Sequence, residues 1–151
     1  MEFEKLEAFD TLSLHLFKVN GLMQDWGDYF AEPFNLTASQ WKILGALISE
    51  EQALTVPEIS HIMGISRQGI QKQVNTLLEG EYLEKVENPQ HKRSVLYKVT
   101  QKGEEVYQSI HDNSTKYLDE RSQGITLEEL EKVNHVLNEL INVYTLPEER
   151  K

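Results

Sequence analysis

Residues 54–99 read LTVPEISHIMGISRQGIQKQVNTLLEGEYLEKVENPQHKRSVLYKV. This stretch contains two helix starts, since Thr55 and Ser66 each take the position of an N-cap ahead of apolar residues at helical spacing. The first helix ends at Gly64, so only Ile65 and Ser66 separate it from the second. Two helices joined by a tight turn that contains glycine predict a helix-turn-helix.

Two strand-like segments follow the second helix. Residues 82–87 and 94–99 are rich in β-branched and aromatic side chains. A turn-forming and then basic sequence, Asn88-Pro89-Gln90-His91-Lys92-Arg93, lies between them. A β-hairpin directly after a helix-turn-helix predicts a winged helix whose wing tip is basic.

Amphipathic helices are predicted on both sides of this core. Residues 3–30 place apolar side chains three or four apart over a wider face than one core requires, and Pro33 ends that helix. Thr100 caps a helix that runs to about Ser122, and a last helix starts at Thr126. The Thr37–Gln40, Thr55–Glu58 and Thr126–Glu129 pairs have the spacing of capping boxes.

The predicted fold class is therefore mainly α, of the α+β winged-helix type. We expect a winged helix-turn-helix core flanked by N- and C-terminal helices. The predicted domains are an N-terminal helix (1–35), a winged helix-turn-helix domain (36–99) and C-terminal helices (100–146).

Composition excludes several classes of protein. The 151 residues include no cysteine, which removes disulfides, thiol catalysis and thiol redox sensing. The five histidines are scattered, and no nucleophile–base set or phosphate loop occurs, so we expect no metal site, no cofactor and no enzyme activity. No apolar run is long enough for a membrane span, and the acidic N-terminus lacks signal-peptide features, so a cytoplasmic location is predicted.

The net charge of −10 is distributed unevenly. Residues 64–98 contain six Lys/Arg and four Glu, a net +2, so the rest of the chain carries −12. Phosphates repel carboxylates, but screening limits that repulsion to about 8–10 Å. The acidity therefore lies outside the segment that is predicted to meet DNA.

The helix after Ser66 has a buried face and an opposite polar face. With Ile70 at the centre of the buried face, Gln68, Lys72 and Asn75 point away from it. Gln and Asn bond to adenine in the major groove, Lys contacts guanine or phosphate, and a basic wing tip enters the minor groove. The predicted sites for double-stranded DNA are Ser66, Arg67, Gln68, Gln71, Lys72, Asn75, His91, Lys92 and Arg93.

Two runs carry a resemblance to a known family. Residues 36–107 resemble the core of the MarR family of transcriptional regulators. The resemblance is carried by LTASQWKILGAL at 36–47 and by the run that begins at Leu54 and ends in LYKVTQKGEEV. The resemblance implies a homodimer, with N- and C-terminal dimerisation helices at 1–35 and 100–146 around a DNA-binding domain at 36–99. Such a dimer binds a pseudo-palindromic operator, usually as a repressor, and often releases DNA when a small ligand binds. The wing tip departs from the family pattern, because His91 stands where an aspartate normally helps to hold a wing arginine. Arg93 is then less well oriented, while a protonated His91 would strengthen phosphate contact.

The resemblance also implies a site for a small aromatic or phenolic acid between the dimer helices and the DNA-binding part. His15, Trp26, Tyr29 and Trp41 are the candidate lining residues, although aromatic residues at this spacing also fit a plain core. Glu81 stands where a glycine is common in the family. One alternative function stays open, a winged-helix module that binds proteins and has no sequence-specific DNA affinity.

Overall fold

The computed structural model describes residues 2–147, which form two compact units, one up to Ser114 and one from Thr115 onward. The predicted domain boundaries at residues 35 and 99 stay predictions. In chain order, the elements are α1 (Glu2–Ala31), a 3-10 helix (Glu32–Phe34), α2 (Ala38–Ser49), α3 (Val56–Met63), α4 (Arg67–Glu79), β1 (Leu83–Val86), β2 (Leu96–Val99), α5 (Gln101–Arg121) and α6 (Leu127–Tyr144).

The helix starts are fixed by local side chains, as predicted. Thr37, Thr55 and Thr126 each accept a hydrogen bond from the backbone N–H three residues on, and each is closed into a capping box. The Ser66 side chain accepts from the Gly69 N–H at 3.1 Å. These bonds satisfy N–H groups that the helices leave unpaired, so each helix begins at a residue that its own sequence determines.

The turn between α3 and α4 is built on a left-handed residue. Gly64 ends α3 with a φ of 64°, a conformation that glycine adopts without steric cost. The chain then needs only two residues to reach α4. The helix-turn-helix prediction is confirmed.

The hairpin pairs β1 with β2 antiparallel, from Leu83 opposite Val99 to Val86 opposite Leu96. Both strands are shorter than the predicted 82–87 and 94–99. The Tyr82 N–H donates to the Leu77 carbonyl at 2.9 Å, so Tyr82 belongs to the end of α4. At the other strand, the Ser94 N–H donates to the His91 carbonyl at 3.0 Å and is part of the wing turn.

A third chain segment pairs with the hairpin. Leu54 and Tyr97 exchange two backbone hydrogen bonds, of 3.0 and 2.8 Å, which tie the segment before α3 to β2. The hydrophobic core lies under these elements. Its largest fully buried apolar side chains come from α2, α3, α4 and α5: Ile43 and Leu44, Ile59, Ile70, Val74 and Leu77, and Ile110.

The first helix ends at Ala31, two residues before Pro33. Pro33 lies within the 3-10 helix that follows, where a proline in the first turn is tolerated. In the second unit, α6 keeps many apolar side chains exposed. Among residues 2–147, no helix is both long and apolar enough to cross a lipid bilayer.

Candidate DNA interface

The fourth helix separates an apolar face from a polar one. Ile70 and Val74 have no exposed surface, which anchors α4 on the core. Gln68, Lys72 and Asn75 are exposed on the other side, as predicted. The outward face therefore presents amides and a cation, the groups that read base edges and phosphates in a major groove.

Two of the predicted DNA-contact residues hold each other. The Gln71 side-chain amide donates to the Asn75 Oδ1 at 2.9 Å, one helical turn away. This bond orients the Asn75 amide and leaves its N–H donors free. An asparagine whose amide oxygen and amide nitrogen are already oriented is suited to the pair of hydrogen bonds that it can make with the N6 and N7 atoms of adenine.

The N-terminus of α4 has the composition of an anion site. The Ser66 hydroxyl occupies the Gly69 N–H, while Arg67 is exposed at the first position of the helix. The remaining first-turn N–H groups carry the positive end of the helix dipole. This end of the helix fits a phosphate contact.

The wing is organised by one asparagine. The Asn88 side-chain oxygen accepts from the backbone N–H of Gln90 at 3.2 Å and of His91 at 3.3 Å. The turn places His91, Lys92 and Arg93 at an exposed tip. The wing aspartate that the family pattern has is absent, yet the tip has its own local scaffold.

The cations of this surface are not neutralised by the protein. Within the described residues, no carboxylate lies within 4.0 Å of the charged groups of Arg67, Lys72, Lys92 or Arg93. Their charges are therefore available to phosphate oxygens.

A cluster that the sequence reasoning missed closes the end of α4. The Lys102 ammonium donates to the Gly80 carbonyl at 2.7 Å and lies 4.7 Å from the centre of the Tyr82 ring. The Thr100 hydroxyl donates to the Glu81 carbonyl at 2.7 Å. We call residues 100–103 the clamp, because they hold the C-terminal end of α4 from the start of α5.

Two backbone features accompany the clamp. Glu81 has a φ of 61°, so a residue with a β-carbon takes the left-handed conformation at the position where a glycine is common in the family. Gly103 lies so close to Tyr82 that a β-carbon on it would be 2.3 Å from the Tyr82 carbonyl oxygen. The clamp therefore leaves no space for a side chain at residue 103.

The four residues predicted to line a ligand site are only partly brought together. The Trp26 and Trp41 rings are 5.8 Å apart, and the side-chain N–H of each is buried without an acceptor in the described part of the chain. Tyr29 is 69% exposed. His15 lies eleven residues before Trp26 on α1, about 16 Å along the helix, and does not join the tryptophans within this chain.

The sequence and the fold of this chain are both similar to those of MarR-family proteins. The model of the MarR family matches residues 34–94. An uncharacterized protein of Mycobacterium tuberculosis, Rv2011c, is 31% identical over 99 residues, which are 66% of this chain and 68% of that protein. The chain belongs to the MarR family. The multiple antibiotic resistance protein MarR of Salmonella typhimurium is 24% identical over 113 residues, 74% of this chain and 78% of that protein.

Solved MarR structures have the same fold. A mutant MarR from E. coli, in a crystal structure with operator DNA, matches with a TM-score of 0.74 at 21% identity, over 86% of this chain and 93% of that one. The winged helix predicted from residues 54–99 is thus the fold of a MarR-family transcription regulator, a DNA-binding class. Among residues 2–147, no group of three or more acidic or histidine side chains is arranged to hold a metal ion.

Proposed function

We propose that this chain is a homodimeric transcriptional repressor that binds a pseudo-palindromic operator. One observation carries the proposal: in a single compact unit, a helix with an amide and cationic outward face is followed by a hairpin with an exposed cationic tip. These are the two elements that a winged helix uses on adjacent grooves. Such a protein acts where the chromosome is, in the bacterial cytoplasm.

The residues divide into two roles. Gln68, Gln71 and Asn75 present amides and read base edges from the outward face of α4. Arg67 and Lys72 meet phosphates beside the major groove, and the wing tip of His91, Lys92 and Arg93 reaches the minor groove. The phosphate contacts fix the register of α4, and the amides supply the sequence preference.

The exposed apolar side chains of α1 and α6 support a dimer. On α1, Phe3 is 84%, Leu14 71% and Phe17 80% exposed. On α6, Leu127 is 72% and Ile141 64% exposed. Large apolar side chains left exposed along a helix in this number favour an interface, and a second copy of the chain would supply the matching helices.

Selection from a random duplex DNA library tests the proposal. We expect the purified chain to enrich an inverted repeat whose half-sites are about one helical turn apart, because a two-fold dimer places its α4 helices at that separation. The affinity for the selected duplex should fall steeply as the salt concentration is raised, because the Lys and Arg side chains of the bound protein displace counterions from the DNA phosphates. If no sequence is enriched even at low salt and a protein partner is recovered instead, the chain is a protein-binding winged helix.

We further infer that a small aromatic acid releases the DNA. The two buried indole N–H groups of Trp26 and Trp41 support this, since a buried donor without an acceptor is costly and a carboxylate or phenolate would satisfy it. Lys42 lies 4.5 Å from the centre of the Trp41 ring, and burial lowers the pKa of its ammonium. A cation and two donors fit an anionic aromatic ligand.

Fluorescence tests this inference directly, because Trp26 and Trp41 are the two tryptophans of the chain. Salicylate, a simple phenolic acid, should quench their emission and weaken operator binding over the same concentration range. Trp26→Phe keeps a ring but removes one N–H, so it should weaken salicylate binding about tenfold, as expected for a lost hydrogen bond to a charged group. Unchanged emission together with unchanged operator affinity would count against a ligand at this position.

A further inference from the structure

Helix α1 is joined to the first residue of α2 at one point. The Ala38 N–H donates to the Asp28 carboxylate at 2.6 Å, where a negative charge also complements the N-terminal end of the α2 dipole. Gly27 lies against the same residue, and a β-carbon on it would be 2.6 Å from that of Ala38. The end of α1 therefore cannot slide along α2 without losing a directional bond and a close contact.

The same turn of α2 is bonded to α4. Gln40 is buried, with 6% of its surface exposed, and its side-chain oxygen accepts from the Thr37 N–H at 3.0 Å. The side-chain amide nitrogen of Gln40 donates to the Gln73 Oε1 at 3.0 Å, and the two residues are 33 positions apart in the sequence. Gln73 is half-buried on the flank of α4, outside the outward face that bears Lys72 and Asn75.

These bonds differ in kind from the apolar packing around them. Burial of apolar surface has no preferred direction, so Ile70 and Val74 hold α4 on the core while allowing small shifts. A hydrogen bond weakens steeply when its angle or length departs from ideal values. The two amides therefore specify one position of α4 relative to α2, and Asp28 relates that position to α1.

We propose that Asp28, Gln40 and Gln73 form a polar tie that sets the separation of the two α4 helices in the dimer, which makes Gln73 a positioning residue for half-site spacing. The inference rests on the proposed function. If α1 joins the two subunits, each α4 is placed on DNA by its attachment to its own α1. One base pair moves a half-site by about 3.4 Å along the duplex, so a loosened tie broadens the spacings that the dimer accepts.

The experiment compares duplexes that carry the selected inverted repeat with its own spacing and with one base pair added or removed. For the wild type, we expect the altered spacings to weaken binding about tenfold or more, the size of a lost base contact. Gln73→Met keeps the length of the side chain and removes the acceptor, so this ratio should shrink to about threefold. Gln73→Glu keeps an acceptor for the Gln40 amide, so its spacing ratio should equal that of the wild type. Its added negative charge should lower the affinity for every duplex.

The control is Gln108→Met, because the Gln108 amide also donates to a side chain, Asp112 at 2.7 Å, but lies on α5. It should leave the spacing ratio unchanged. A ratio is used because partial unfolding lowers the affinity for all duplexes equally and leaves the ratio as it was. If Gln73→Met does not fold, Asp28→Ala, whose side chain is exposed, takes its place.

The outcomes separate the two proposals. If the wild type binds no duplex in preference to another, the operator-binding function fails and the tie fails with it. If the wild type discriminates between spacings and the folded Gln73→Met or Asp28→Ala variant discriminates equally well, operator binding stands and the positioning role of the tie is wrong.

Discussion

Gly103→Ala is expected to destabilise the protein by about 2–3 kcal/mol and to lower its melting temperature by roughly 4–12 °C. The new β-carbon would lie 2.3 Å from the Tyr82 carbonyl oxygen and 2.7 Å from the Val99 Cγ1. The Tyr82 backbone cannot retreat freely, because its carbonyl accepts from the Thr100 N–H at 3.1 Å and its own N–H donates to Leu77. Alanine favours a helix over glycine by only about 1 kcal/mol, which does not offset the overlap.

Thermal unfolding followed by circular dichroism measures this effect. Gly124→Ala is the control, since a β-carbon there meets no atom within 4 Å. Its free energy of unfolding should stay within about 0.5 kcal/mol of wild type. A Gly103→Ala protein with the melting temperature of the wild type would mean that the clamp tolerates a side chain. The contact between α5 and Tyr82 would then not be tight in solution.

The double substitution Lys72→Ala/Arg93→Ala is expected to weaken operator binding by about 100-fold or more at 0.1 M salt. Each cation contributes about 1–3 kcal/mol when it meets a base or phosphate, and the two lie on different elements, so their losses add. Each lost phosphate contact also reduces the slope of log affinity against log salt by about 0.9. Both substitutions are present in both protomers of the proposed dimer, so four contacts are lost per complex and the salt dependence should be flatter by about 4.

Lys116→Ala is the matched control, because Lys116 is an exposed cation on α5 that is not among the predicted DNA-contact residues. It should leave both the affinity and the slope close to wild type. Operator affinity that survives the double substitution would assign DNA contact to another surface. Loss of affinity with an unchanged slope would mean that neither side chain meets a phosphate.

Local signals made most of the fold predictable. The capping boxes at Thr37, Thr55 and Thr126 involve hydrogen bonds to residues only three positions ahead. The buried apolar residues around Ile70 recur every three or four positions, the period of a helix. Such features depend on a short window of sequence, so they can be interpreted without knowing the fold. The amide and cationic face of α4 followed from the same periodicity.

The contacts that join the elements left no comparable trace. Gln40 and Gln73 are 33 residues apart, and nothing in either neighbourhood distinguishes a glutamine that bonds across the core from one that faces water. Lys102 and Gly80 present the same difficulty across 22 residues. The separation of His15 from Trp26, in contrast, follows from the rise of a helix and was available from the sequence.

The clamp also affects the order in which the chain folds during synthesis. The last turn of α4 receives its bonds at Gly80 and Glu81 from Lys102 and Thr100, which leave the ribosome some twenty residues later. A nascent chain that ends within the hairpin therefore holds an α4 whose start is capped and whose end is still open. Translation must pass residue 103 before α4 is closed at both ends.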